Sequence, residues 1–207
     1  RRYAFGVQIR PLEIAGAYEL TPRQWSDERG TFLEWYRGDL LEQQFGVGIG
    51  LRQANTSISR RGVLRGVHYA DIPPGQAKHV TATRGAALDI VVDIRVGSPT
   101  FGQWDAVLLD TVDRRAVYLA EGLGHAFLAL EDDTTVSYLV SHTYDPDHEH
   151  GVSPLDPALA LELPIPTEEL IISPKDLDAP TLAQARELGM LPNWTDARGY
   201  AGTAGER

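Results

Sequence analysis

The segment AALDIVVDIR, residues 86–95, sets Leu88, Ile90, Val92 and Ile94 at alternate positions, with Asp89 and Asp93 on the opposite side. Side chains of an extended chain point alternately to its two faces, so this spacing predicts a strand with one continuous apolar face. The two aspartates on the other face are expected to make supporting hydrogen bonds. TVSYLVSHTY, residues 135–144, repeats the pattern with Val136, Tyr138, Val140, His142 and Tyr144 on one face, and TFLEWYR, residues 31–37, alternates as well. Between such runs stand turn formers: DERG at 27–30, PPG at 73–75, GSPTFG at 97–102, EDD at 131–133 and DPD at 145–147. Short strands with closely spaced breaks predict a mainly β fold, an antiparallel sandwich or barrel. Helical pattern is scarce. GDLLEQQFG, residues 38–46, gives two turns, and DAPTLAQARELG, residues 178–189, reads as a short helix with Asp178 as cap, Pro180 just inside and Gly189 as stop.

Composition bounds the function. The 207 residues fit a single domain, 1–207, with a core over about 8–192 and flexible ends at 1–7 and 196–207. No apolar run is long enough to cross a bilayer, no secretory signal opens the chain and there is no cysteine, which together point to the cytoplasm. The formal net charge of −10 disfavours nonspecific binding to nucleic acid, so an anion site must come from a local cluster of donors. Of nineteen basic residues only Lys78 and Lys175 are lysine, and Lys78 lies in such a cluster, RGVLRGVHYADIPPGQAKHV at 61–80. A compact ammonium there offers what a planar guanidinium does not.

His68 stands in the same cluster. A metal-binding barrel would want a second histidine two residues on and a carboxylate soon after, but the chain reads His68-Tyr69-Ala70 with no glutamate before Lys78, so no metal site is expected. An acid–base set remains. His68 is the natural proton acceptor, Lys78 follows across the turn, Tyr138 lies on a strand face, and EGLGHAF offers His125. Arg29 and Arg65, with the amides of Gln53 and Asn55, supply donors suited to phosphate and base recognition.

DERGTFLEWY (27–36), QANTSIS (53–59), RGVLRGVHY (61–69), GQAKHV (75–80), LDIVVDIRVGSPTFGQW (88–104), LAEGLGHAF (119–127) and SPKDLDAPTL (173–182) follow one another in this order. Over roughly residues 10–190 this series resembles the dTDP-4-dehydro-6-deoxyhexose epimerases, the family founded on the 3,5-epimerase of dTDP-rhamnose synthesis. The resemblance implies a cupin-type jelly-roll barrel, a homodimer, a dTDP-linked 4-keto-6-deoxy sugar as substrate and no cofactor, because the reaction involves no net redox change. It also implies His68 as base, Asp176 as the carboxylate that orients it, Tyr138 as acid and Lys78 as the cation near the sugar ketone. Arg29, Gln53, Asn55 and Arg65 match nucleotide-holding positions, Glu34 one that contacts the thymine, and His125 and Tyr144 further pocket residues.

Three points stay open. Arg65 and His68 are three apart and face opposite sides of a regular strand, so either a bulge near Gly66 or service of Arg65 to a neighbouring subunit must reconcile them. Thr31, Ala126 and the GVSPL stretch, residues 151–155, depart from the family pattern and leave open whether C3, C5 or both are inverted, with C3 the leading expectation. The rival activity is a 3,4-ketoisomerase acting on the same kind of nucleotide sugar; the rival class is a nucleotide-sugar-binding cupin without activity.

Overall fold

The computed structural model describes residues 6–46, 49–195 and 197. In chain order these form β1 (Val7–Pro11), β2 (Ala17–Pro22), β3 (Gln24–Asp27), β4 (Gly30–Leu33), α1 (Gly38–Phe45), β5 (Gln53–Ser59), β6 (Val63–Ala70), β7 (Lys78–Arg84), β8 (Ala86–Val92) and β9 (Trp104–Asp110). β10 (Ala116–Leu119), β11 (Gly124–Ala129), β12 (Thr134–Val140), β13 (Glu149–Gly151), β14 (Ile171–Ile172), α2 (Pro174–Leu177) and α3 (Leu182–Glu187) complete the series. Residues 1–5 and most of the segment 196–207, expected to be flexible, lie outside the described residues, while Val7 opens β1 and pairs with Pro22.

One sheet runs β1-β2-β10-β7-β12-β5; the facing one runs β13-β6-β11-β8-β9, with β14 added to β6 as the parallel partner. Between them lies an apolar core to which the first sheet gives Val80, Ala82, Val117, Leu119 and Val136 and the second Ala87, Val91, Val107, Leu109 and Phe127. The result is mainly β and of the cupin jelly-roll type. The apolar face foreseen for 88–94 is real but turns outward: Ile90, Val92 and Ile94 pack with Val67 and Tyr69 under Leu182 and Ala185 of α3 and Leu191. Because β8 is covered on both faces, its sequence reads as nearly continuous apolar residues interrupted by Asp89. At about 1.5–3 kcal/mol per fully buried large apolar side chain, these two layers supply the main stabilisation.

Several boundaries differ from the sequence reading. The alternation of 31–37 ends as a strand at Leu33, and β8 stops at Val92. Beyond it, Asp93 accepts from Arg95, Ser98 and Thr100 and ties down the SPT turn. β12 ends at Val140, so His142 and Tyr144 belong to a loop. α3 is capped by Thr181 rather than Asp178. The Thr181 hydroxyl accepts from the Gln184 amide while the Gln184 side chain accepts from the Thr181 amide, a reciprocal arrangement that Asp178, itself the C-cap of α2, does not make. Gly189 follows with φ of +69° and closes the helix as expected.

Candidate active site

The open end of the barrel holds a cavity of about 240 Å³. His68 of the second sheet lines it, with Glu149 and His150 of β13. In the pairing of β6 with β11, His68 stands opposite His125 and Arg65 opposite Phe127, so three steps along β6 match two along β11. That extra residue is a bulge at Gly66–Val67, and it puts Arg65 on the same face of β6 as His68; Arg65 itself is exposed and outside the cavity lining, with its Nε donating to Ser59 Oγ at 3.3 Å. Gly66 is required here. It sits at φ +122°, and a Cβ would lie 2.5 Å from that of Ala126 and 2.6 Å from the His125 carbonyl oxygen. Gly66→Ala is therefore expected to cost at least about 1–3 kcal/mol, read as a lowered urea midpoint at unchanged m value.

Asp176 reaches His68 because β14 runs parallel to β6 and leads directly into α2. Ser173 caps that short helix by accepting from the Asp176 amide, and Asp176 Oδ1 accepts from His68 Nε2 at 2.7 Å. Burial alone would raise the Asp176 pKa, but the hydrogen bond and charge of His68, with the bonds from Ser173 and Gly66, hold it below the usual carboxylate range. With Nε2–H donated to the carboxylate, Nδ1 is the nitrogen left to accept a proton.

The opposing wall comes from the first sheet. Tyr138 on β12 and Lys78 at the head of β7 line it, on adjacent strands where Val140 pairs with Lys78. Lys78 is only 7% exposed, and burial pushes its pKa down against the pull of Glu149 and Asp89. Burial and then Glu149 push the Tyr138 phenol up, with Arg65 opposing, so the phenol keeps its proton through the neutral range. Edge strand β5 alternates cleanly and sends Gln53 and Asn55 inward, joined by a 2.7 Å bond from Gln53 Nε2 to Asn55 Oδ1. Gln53 Oε1 also accepts from the Tyr144 amide and fixes that loop, which leaves Tyr144 56% exposed at the mouth.

The structure thus gathers His68, Asp176, Lys78, Tyr138, Gln53, Asn55 and Tyr144 around one cavity, and leaves others apart. His125 stands opposite His68 on β11 but is buried and does not line the cavity, with Nε2 2.8 Å from Asp89 Oδ2. Arg29 sits on the β3–β4 turn, exposed and paired with Asp27, and Glu34 pairs with Arg37 beside a separate narrow cavity near α1. Thr31 lies in the same hairpin against Ser26, and Ala126 is buried under Gly66, so neither of these two departures from the family pattern lines the cavity, whereas the third begins at Gly151, which pairs with His68. Gln76, Glu149, His150 and Lys175 also line it, although the sequence did not single them out as site residues. For Lys175 a signal existed, since it is one of only two lysines and precedes Asp176. Among the described residues no three His, Asp or Glu side chains converge as a metal-binding group, and no helix is long and apolar enough to cross a membrane.

An oriented imidazole facing a protonated phenol across a slot, with an ammonium beside the phenol, is equipped to move protons at carbon next to a polarised carbonyl. Comparison with known proteins agrees. The family model for dTDP-4-dehydrorhamnose 3,5-epimerase matches residues 11–184. A dTDP-4-dehydrorhamnose 3,5-epimerase of Mycolicibacterium smegmatis is 56% identical over 95% of this chain and 96% of its own length. Among solved structures, NovW of Streptomyces spheroides, a 4-keto-6-deoxy sugar epimerase from the novobiocin biosynthetic gene cluster, superposes with a TM-score of 0.90 at 53% identity, covering 92% of this chain and 95% of that one. ChmJ, a 3'-monoepimerase of Streptomyces bikiniensis solved with dTDP-quinovose, gives 0.92 at 47%, over 95% of this chain and 99% of its own. Matched by the family model over most of its length and by these relatives nearly end to end, the chain belongs to the dTDP-4-dehydrorhamnose 3,5-epimerase family.

Proposed function

We propose that the protein inverts C3 of a dTDP-linked 4-dehydro-6-deoxyhexose in deoxysugar biosynthesis, by removing the proton next to the C4 ketone and returning one from the other face. The observation that carries this reading is that His68 and Tyr138 approach the cavity from facing sheets, while Lys78 stands one strand from Tyr138. His68 Nδ1 takes the C3 proton, Asp176 stabilises the imidazolium that forms, and the electron pair moves onto O4, where the Lys78 ammonium meets it. Tyr138 then protonates the planar enolate on the side away from His68. The reaction is redox-neutral and needs no cofactor. Inversion at C3 is common to relatives named 3-epimerase and 3,5-epimerase at nearly equal identity, 54% and 56%. Inversion at C5 would repeat the same chemistry on the ketone's other flank.

The cavity has a deep end at Lys78 and an outer end at Tyr144, so the sugar enters first, with the diphosphate near the mouth and the nucleoside outermost, held by Gln53, Asn55 and Arg65. Arg29 and Glu34 do not line the cavity of their own chain. In a cytoplasmic homodimer they serve the partner's cavity, carried by the β3–β4 hairpin, which exposes the neighbouring rings of Trp25 and Phe32.

Proton NMR of dTDP-4-dehydro-6-deoxyglucose with the protein in deuterium oxide tests the activity. The expected result is loss of the C3 proton signal and growth of the C3 epimer with the carbonyl still at C4. A carbonyl at C3 would establish the ketoisomerase, which the comparisons do not favour, and binding without change would leave only a carrier of nucleotide sugars.

Glu149 adds a pH prediction. It raises the Lys78 pKa against burial and also raises that of Tyr138. Without its charge both groups lose their protons at lower pH, and both must be protonated to act. Glu149→Gln should therefore move the alkaline limb of the kcat profile to lower pH and leave the acid limb in place; an unmoved alkaline limb would remove Glu149 from this role.

A further inference from the structure

Beside the catalytic groups, the cavity wall carries a side chain that the mechanism does not use. His150 lies on β13, opposite Tyr69 of β6, and its ring sits 5.6 Å from the Tyr69 ring. Its Nε2 is 2.9 Å from Oδ1 of Asp71, in the loop after β6. Asp71 is itself fixed twice to the turn before β13: its Oδ2 lies 3.3 Å from His148 Nδ1, and its amide donates to the His148 carbonyl at 3.0 Å. A carboxylate held in this way sets the orientation of the imidazole that it faces. Lys175, also added to the lining by the structure, is exposed at the same cavity.

We propose that His150, positioned by Asp71, binds the diphosphate of the substrate at the cavity mouth. The inference rests on the nucleotide-sugar reading above. With Nε2 placed against Asp71 Oδ1, the ring has Nδ1 for a ligand, where an imidazole N–H can donate to a phosphate oxygen. A diphosphate entering an acidic protein needs local donors, and the deep ammonium, Lys78, is committed to the ketone. His150 is thus a binding residue and Asp71 a positioning residue that acts through it.

Calorimetric titration with dTDP and with thymidine, together with steady-state kinetics on dTDP-4-dehydro-6-deoxyglucose, tests this in the full chain. His150→Gln should weaken dTDP binding and raise KM by about tenfold, the scale of one charge-assisted hydrogen bond, with kcat within about twofold and thymidine affinity unchanged. His150→Lys should recover most of the dTDP affinity, and Asp71→Asn should fall between His150→Gln and the native protein. Wild-type dTDP affinity in His150→Gln, an equal loss for thymidine, or a fall in kcat without a loss of dTDP binding would each overturn the proposal. If the native protein neither binds dTDP nor epimerises the sugar, the underlying functional reading fails instead, whatever the variants do.

Discussion

His68→Asn should lower kcat by about 10³–10⁴-fold, the range for losing a positioned general base, while dTDP affinity stays within a few-fold of native. The asparagine amide is close in size to the imidazole and can still hydrogen-bond Asp176, so the α2 contact is kept and only the basic nitrogen is lost. Asp176→Asn should fail for a related reason. An amide no longer selects the tautomer with Nε2–H, and it cannot stabilise the imidazolium that appears after proton transfer. Near-native turnover in both His68→Asn and His68→Ala, measured at saturating substrate, would show that another group takes the proton.

Lys78→Met should lower kcat by about 10²–10³-fold, comparable to losing one preorganised donor to a developing oxyanion. Methionine fills a similar length of apolar stem, so the start of β7 should remain packed. The loss should appear in kcat rather than KM, because the ammonium is needed most when O4 carries charge. Lys78 is nearly buried, and burial works against its charge. The barrel therefore keeps an unfavourably placed cation near two carboxylates, an arrangement expected where charge is required for function. A raised KM with kcat intact would instead make Lys78 a phosphate clamp.

Much of this was legible in the sequence because the side-chain period of a strand is two. The alternation of 86–95 and 135–140 placed the strands, although not the burial of β8 on both faces. Strand ends were not legible: Tyr144 continues the alternation of β12 on paper, yet the chain has already turned at Ser141. Asp178 and Thr181 are both good helix caps, and only the matching Gln184 at the third helical position favours Thr181. The bulge at Gly66 was legible as a conflict between Arg65 and His68, which a single extra residue resolves. Cross-strand partnerships such as His125 with Asp89 depend on register between strands far apart in sequence, and no local pattern carries them. Glu149 and His150 escaped notice for another reason: β13 is three residues long, too short to show any period.

Deuterium exchange at C3 by Tyr138→Phe tests most directly the claim that acid and base act on opposite faces of one enolate. The substrate would be incubated with the variant in deuterium oxide, and C3 exchange and C3 inversion followed separately by NMR. With His68 intact, exchange should continue at a rate within about tenfold of native, while inversion slows by about 10²-fold or more, the usual contribution of a positioned general acid. If exchange and inversion disappear together in Tyr138→Phe, or if His68→Asn still exchanges the C3 hydrogen, the assignment of the two faces to the two sheets is wrong.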